Sequence, residues 1–232
     1  MKILINGSIL GLFLMLTACS QISSSEVDAT AIYGELAINR SEGSSQATAS
    51  VTYFVGGGTG TVVTMDSPAT TTINGQTANA VNDPILNMTS YQASVSSAAN
   101  IIYTDKNGES YSNTLFFPGS MSFSFPSATA FISQGFSLNY TTSSGFVPGE
   151  QLQITLNGNT PGNFNTVNRA VVTGATSGAA TISSADLSGF SPGTLTVSIC
   201  LQANPAAQSP YPKGTSISIQ SCSNGRTLNL QQ

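Results

Sequence analysis

The side chains able to move protons, attack carbonyls or hold metals form a short inventory in this chain of 232 residues. There are ten Asp+Glu, six Lys+Arg, three Cys and no His. Without His, no Ser-His-Asp triad and no His-ligated metal site can be built within the chain. Gly189-Phe190-Ser191-Pro192-Gly193 matches the Gly-x-Ser-x-Gly nucleophile elbow letter for letter. An elbow needs a strand-to-helix turn, a His partner and a backbone N–H just after the serine. Pro192 removes that N–H and an alternating strand pattern follows, so the segment reads as a turn. Val55-Gly56-Gly57-Gly58-Thr59-Gly60 lacks the Lys-Ser/Thr of a phosphate loop and reads as a bulged hairpin connection. Asp105, Asn107 and Glu109 alternate as calcium ligands do. Gly108 comes too early and no bidentate Glu closes the loop, so a solvated hairpin tip is expected. Two carboxylates alone can hydrolyse a glycoside, but no pair is marked by spacing. The expectation is no catalytic residue, no cofactor and no metal.

Charge narrows the partners further. Only 7% of residues are charged and the net charge is −4, which leaves no basic patch to neutralise phosphates; nucleic-acid binding is not expected. Tyr33, Tyr53, Tyr91, Tyr103, Tyr111, Tyr140 and Tyr211 are candidate stacking platforms for sugar or peptide. Several of them alternate with apolar residues, and core or rim tyrosine with one wet hydroxyl is the simpler reading.

Met1-Lys2 supplies one cation, and Ile3 to Leu16 is then mostly apolar. That run is too short to span a bilayer as a helix and has the form of a secretory signal. It closes Leu16-Thr17-Ala18-Cys19, which resembles the lipobox of bacterial lipoproteins at each of its four positions. The resemblance implies cleavage after Ala18, a diacylglyceryl thioether on Cys19 and acylation of the new amino terminus. Two or three acyl chains anchor a protein stably where one is marginal. Ser20, a non-acidic residue after the cysteine, is similar to the outer-membrane sorting pattern of diderm cells. Removing residues 1–18 leaves 214 residues at a net charge of −5.

With Cys19 lipidated, Cys200 and Cys222 remain in a compartment that permits disulfides. In Leu195–Leu201 the apolar residues take odd numbers and Cys200 falls on the polar face; in Ser216–Cys222 the parity is the same and Cys222 again joins the polar set. Neighbouring strands would bring the two within bonding distance. No Lys or Arg adjoins either one in sequence and the spacing is not Cys-x-x-Cys, so a structural disulfide is expected rather than a redox pair.

The elements that must position these residues are strands. No window shows helical periodicity; short alternating runs are divided by Gly, Pro, Asn and Asp. Residues 19–29 read as the lipidated cysteine and a flexible Ser-rich tether. Strands are expected at 30–38, 48–55, 60–66, 69–73, 76–81, 89–95, 100–104 and 109–117, with a type I′ hairpin at Asn74-Gly75 and a longer one over Asp105–Gly108. A boundary near 126 divides two tandem β-sandwiches, 30–125 and 126–232. Both are similar in pattern to the immunoglobulin-like domains of bacterial surface lipoproteins, although without a Cys-Trp-Cys core. Phe146-Val147-Pro148-Gly149 and Phe190-Ser191-Pro192-Gly193 each predict a type II turn before a strand, and Cys222–Arg226 predicts a closing hairpin. Leu115-Phe116-Phe117 is the densest apolar run of the mature chain, and one of its three side chains is expected to plug the interface between domains, with a partner site as the alternative use.

The sequence thus predicts an all-β, lipid-anchored envelope protein whose role is non-enzymatic: binding, adhesion or structure, with an envelope protein or polysaccharide as partner. An accessory lipoprotein of an assembly or secretion machine is the alternative; a carboxylate-only hydrolase is the third.

Overall fold

The computed structural model describes residues 21–158 and 164–232. The leader 1–18 and Cys19 lie outside them. Strand alternation dominates as the sequence requires: nineteen strands and a single 3-10 turn, Ala29–Ala31, with no α-helix among the described residues. In chain order the strands are β1 (Gln21–Ser23), β2 (Ile32–Ser41), β3 (Ala47–Val55), β4 (Thr61–Thr64), β5 (Thr70–Ile73), β6 (Gln76–Thr77), β7 (Asn79–Asp83), β8 (Met88–Val95), β9 (Ala99–Thr104) and β10 (Ser110–Leu115). There follow β11 (Met121–Ser124), β12 (Thr129–Phe131), β13 (Phe136–Thr142), β14 (Gln151–Gly158), β15 (Phe164–Ala170), β16 (Ser177–Ile182), β17 (Gly193–Ala203), β18 (Thr215–Cys222) and β19 (Arg226–Gln231).

One twelve-stranded sheet runs the length of the molecule in the order β1-β4-β3-β2-β18-β17-β14-β15, with the β7–β8 hairpin added at β3 and β19 with β12 added at β17. Two smaller sheets cover it: β10-β9-β5-β6 over the first core and β11-β13-β16 over the second. Each element is there because alternate residues bury. Ile32, Leu36 and Ile38 of β2 face Ile73, Ile101 and Leu115 in the first core. Leu152, Ile154 and Leu156 of β14 meet Leu138 and Ile182 in the second. Each such side chain contributes about 1.5–3 kcal/mol by leaving water.

The first core is not confined to residues 30–125. Ala203, Tyr211, Ile217 and Ile219 pack into it, and β18 pairs in parallel with β2 over eight positions, Thr215↔Gly34 to Cys222↔Ser41. A parallel partner 181 residues away leaves no local turn signal, so the alternation of each strand is readable in the sequence and its neighbour is not.

Three further local expectations are corrected. Residues 21–29 are docked, not a free tether: β1 pairs in parallel with β4, Val27 and Ala29 are buried, and Asp28 caps the 3-10 turn by accepting from Thr30 N at 2.9 Å. The segment 222–226 is not a hairpin. β18 and β19 run in the same direction along one edge of β17, and between the pairs Cys200↔Cys222 and Val197↔Arg226 three residues oppose two. That one-residue bulge shifts the buried positions from Ile217 and Ile219 to Leu228 and Leu230, from odd to even. Ser223 fills the gap, its N–H donating to Ile199 O at 2.9 Å. Of the paired Pro-Gly turns, Glu150 N donates to Val147 O across Pro148-Gly149, with Gly149 at φ 86, while Gly193 opens β17 at φ 143, far from the ~80° of a type II turn. The Asn74-Gly75 turn is as expected, with φ of 51 and 77.

Candidate functional site

Most residues singled out for chemistry turn out to hold the fold. Ser191 precedes a strand, β17, not a helix. The glycine loop 56–60 joins β3 to β4, and a Cβ on Gly60 would stand 1.8 Å from Val55 O, which explains the glycine by close approach rather than ligand binding. Asp105 is not a solvated tip residue: it is 2% exposed, and its carboxylate accepts from the N–H groups of Asn107 and Glu109 at 2.8 and 2.9 Å. Asn107 to Glu109 around it are exposed.

The other carboxylates are similarly engaged. Asp186 bonds Arg169 at 2.9 Å and Ser183 at 2.7 Å; Asp186 titrates below its ordinary range, where the Ser183 hydrogen bonds and the guanidinium outweigh desolvation. Glu42 bonds Arg226 at 2.7 Å and ties the β2–β3 loop to β19. Glu150 caps the Val147 turn at 2.6 Å, and desolvation holds its carboxyl above the usual range. Asp66 meets Ser23 and Ser25, and Asp83 caps its own turn. No three His, Cys, Asp or Glu gather in metal-binding geometry among the described residues.

Glu35 differs. It sits on the outer face of β2, half-buried and without a hydrogen-bond or ion partner among the described residues, and burial raises its pKa. The glycine loop lies close over it, since a Cβ on Gly58 would stand 2.8 Å from Glu35 Oε1 and 3.2 Å from the Tyr33 ring. A raised folded-state pKa means the fold prefers the protonated form, so wild-type stability falls as pH climbs from below the ordinary carboxylate range through the folded pKa. Glu35→Gln should therefore be slightly more stable than wild type at pH 7 and equal to it in acid. Urea midpoints at the two pH values check this, and a destabilised variant at pH 7 would refute the assignment.

Five of the seven tyrosines are core rather than platform: Tyr53, Tyr91, Tyr103, Tyr140 and Tyr211 are buried, while Tyr33 and Tyr111 are half-buried. Tyr53, Tyr91, Tyr103, Tyr111 and Tyr211 form one cluster with centroids 4.9–6.1 Å apart, tilted or edge-on except for Tyr103 and Tyr111, which stack. Burial pushes the Tyr103 hydroxyl up to about 12 and Tyr211 higher. Tyr211 enters from the proline-containing loop between β17 and β18, a residue whose surroundings give no periodic signal. Leu115 is buried in the first core, and Phe117 lies under the Arg40 guanidinium at 4.8 Å. Phe116 sits beside Pro148, Ala203 and Pro205, where the two cores adjoin.

Cys200 and Cys222 are brought together as the strand parity predicts. They are a register pair of β17 and β18 at disulfide distance, with Cα atoms 4.1 Å apart, at the bulge where β18 gives way to β19.

One concavity among the described residues had no sequence signal. Where β8 leaves β3, the β7–β8 hairpin overhangs the outer face of the long sheet and encloses a groove of about 600 Å³. Ser50, Thr52, Ser90 and Gln92 form a polar floor, and Val81, Ile85 and Leu86 an apolar wall. All five β7 residues are exposed and, among the described residues, β7 pairs with β8 alone, which leaves its outer edge open. No protein-family model matches the chain, and comparison with curated proteins finds no significant relative.

Proposed function

We propose that this chain is a lipid-anchored cell-envelope protein with a non-enzymatic binding, adhesion or structural role, held in a bilayer through Cys19. The observation that carries the reading is Leu16-Thr17-Ala18-Cys19 standing two residues ahead of the first strand. An acylated Cys19 would then tie a folded body directly to the membrane. Ser20 favours the outer membrane of a diderm cell. The structural use of most carboxylates supports a non-enzymatic role, and the similarity to immunoglobulin-like modules of surface lipoproteins belongs to the same reading. Cys19→Ala should abolish acyl labelling and move the protein from the membrane fraction to the soluble one. Undiminished membrane association of the variant would overturn the anchor.

The open edge of β7 favours a second reading, an accessory lipoprotein that receives a partner strand there. Protease shaving of intact cells separates the two: digestion accords with surface adhesion, and protection with a periplasmic accessory role.

A further inference from the structure

We propose that the β7–β8 turn, Pro84-Ile85-Leu86, enters the interface of the bilayer that holds the Cys19 anchor; this rests on the lipid-anchored reading above. The start of the folded chain and the tip of the hairpin touch: the Gln21 side-chain amide donates to Asn87 O at 3.0 Å. Consecutive Cα atoms are 3.80 Å apart, so the Cα of Cys19 lies within about 7.6 Å of that of Gln21. The anchor and the turn therefore approach the membrane together. The register agrees, because β8 runs antiparallel to β3 and its first residue points toward the end of β3 that also holds the 56–60 loop and the start of β1.

The turn has the chemistry of an interfacial wedge. Ile85 is 91% and Leu86 57% exposed, and with Val81 they are three of the six large apolar side chains exposed among the described residues. Exposed apolar side chains beside a lipid anchor gain by sinking into the headgroup and acyl boundary, to a depth of about 5–10 Å. Backbone groups entering that layer must already be bonded. Asp83 Oδ1 accepts from Ile85 N at 2.8 Å and Leu86 N at 3.1 Å, and Pro84 has no N–H to satisfy. A lipid surface is the occupant rather than a protein, because the turn offers two side chains and its position is fixed to the anchor.

The absence of Trp makes the test clean. Ile85→Trp and, as a control on the far edge strand β15, Phe164→Trp are each made in the lipidated full-length protein. Phe164 is 64% exposed, so both probes begin in water. Each variant is reconstituted into phosphatidylcholine vesicles with brominated acyl chains. The proposal expects both to float with the vesicles, with blue-shifted, bromine-quenched emission for Ile85→Trp and solvent-like, unquenched emission for Phe164→Trp. Flotation without quenching at Ile85→Trp overturns the inserted turn and leaves the anchor standing. Equal quenching of both overturns the orientation. Failure to float overturns the anchor and the inference with it.

Discussion

Gly34→Ala should unfold the first core under conditions the parent protein survives. A Cβ at Gly34 would lie 1.9 Å from Cε2 and 2.3 Å from Cδ2 of Tyr211. Neither side can yield. The Tyr211 ring is 2% exposed and wedged against Tyr53, Tyr103 and Tyr111 at 5.8, 5.5 and 5.6 Å. The Gly34 backbone is held between β3 and β18, with its own N–H donating to Gly214 O at 3.2 Å. Overpacking a well-filled core costs about 1–3 kcal/mol and occasionally more, and a ring met by a rigid strand belongs at the upper end or beyond. Tyr211→Ala should also destabilise, by about 3–5 kcal/mol, since it empties the centre of the cluster. The double variant should lose clearly less than the two losses summed, because removing the ring removes the clash. Urea unfolding followed by tyrosine near-ultraviolet dichroism reports on this cluster directly. A single Gly34→Ala variant within 1 kcal/mol of wild type would mean that the ring does not lie against the strand.

Replacing both Cys200 and Cys222 by Ser should give the second large effect, and the mechanism runs through the same tyrosine. The bridge closes a loop with a sequence separation of 22 residues, worth roughly 3 kcal/mol in the chain-entropy model of the unfolded state. Tyr211 lies inside that loop. Constraining its ends where β17 meets β18 therefore also limits the excursions of the segment that inserts the ring into the first core. Reduced wild-type protein and the double Ser variant should unfold at the same lower urea midpoint. Reductant should leave the double variant unmoved. A midpoint insensitive to reductant in the wild type would mean that the pair contributes nothing.

How much was legible follows from the range of each interaction. Alternation in Leu195-x-Val197-x-Ile199 and Ile217-x-Ile219 assigns strands, faces and the disulfide pairing, because burial on one face of a pleat imposes period two. Asn74-Gly75 announces its own turn because both residues tolerate positive φ. The parallel pairing of β18 with β2 has no such marker, and with it went the sharp division at residue 126. Tyr211 stands among Pro210 and Pro212 in a loop without period, so its place at the centre of the tyrosine cluster depends on the tertiary fold. Asn224-Gly225 is turn chemistry in a hairpin and in the 222–226 bulge alike, so the local sequence does not separate the two. The Ser-rich composition of 20–29 suggested a tether, yet Val27 and Ala29 give it two apolar contacts and β4 a backbone partner. The groove beneath Ile85 and Leu86 arises from the splay of β8 away from β3, a property of sheet geometry.

A lipid-modified amino terminus joined almost directly to a folded body is the feature on which the proposed role depends. Mass analysis of the amino-terminal fragment from protein purified out of its native envelope tests it. The expected fragment starts at residue nineteen and carries the added mass of a diacylglyceryl group and an amide-linked fatty acid. A fragment that retains the leader, or that shows an unmodified thiol at that position, would contradict it.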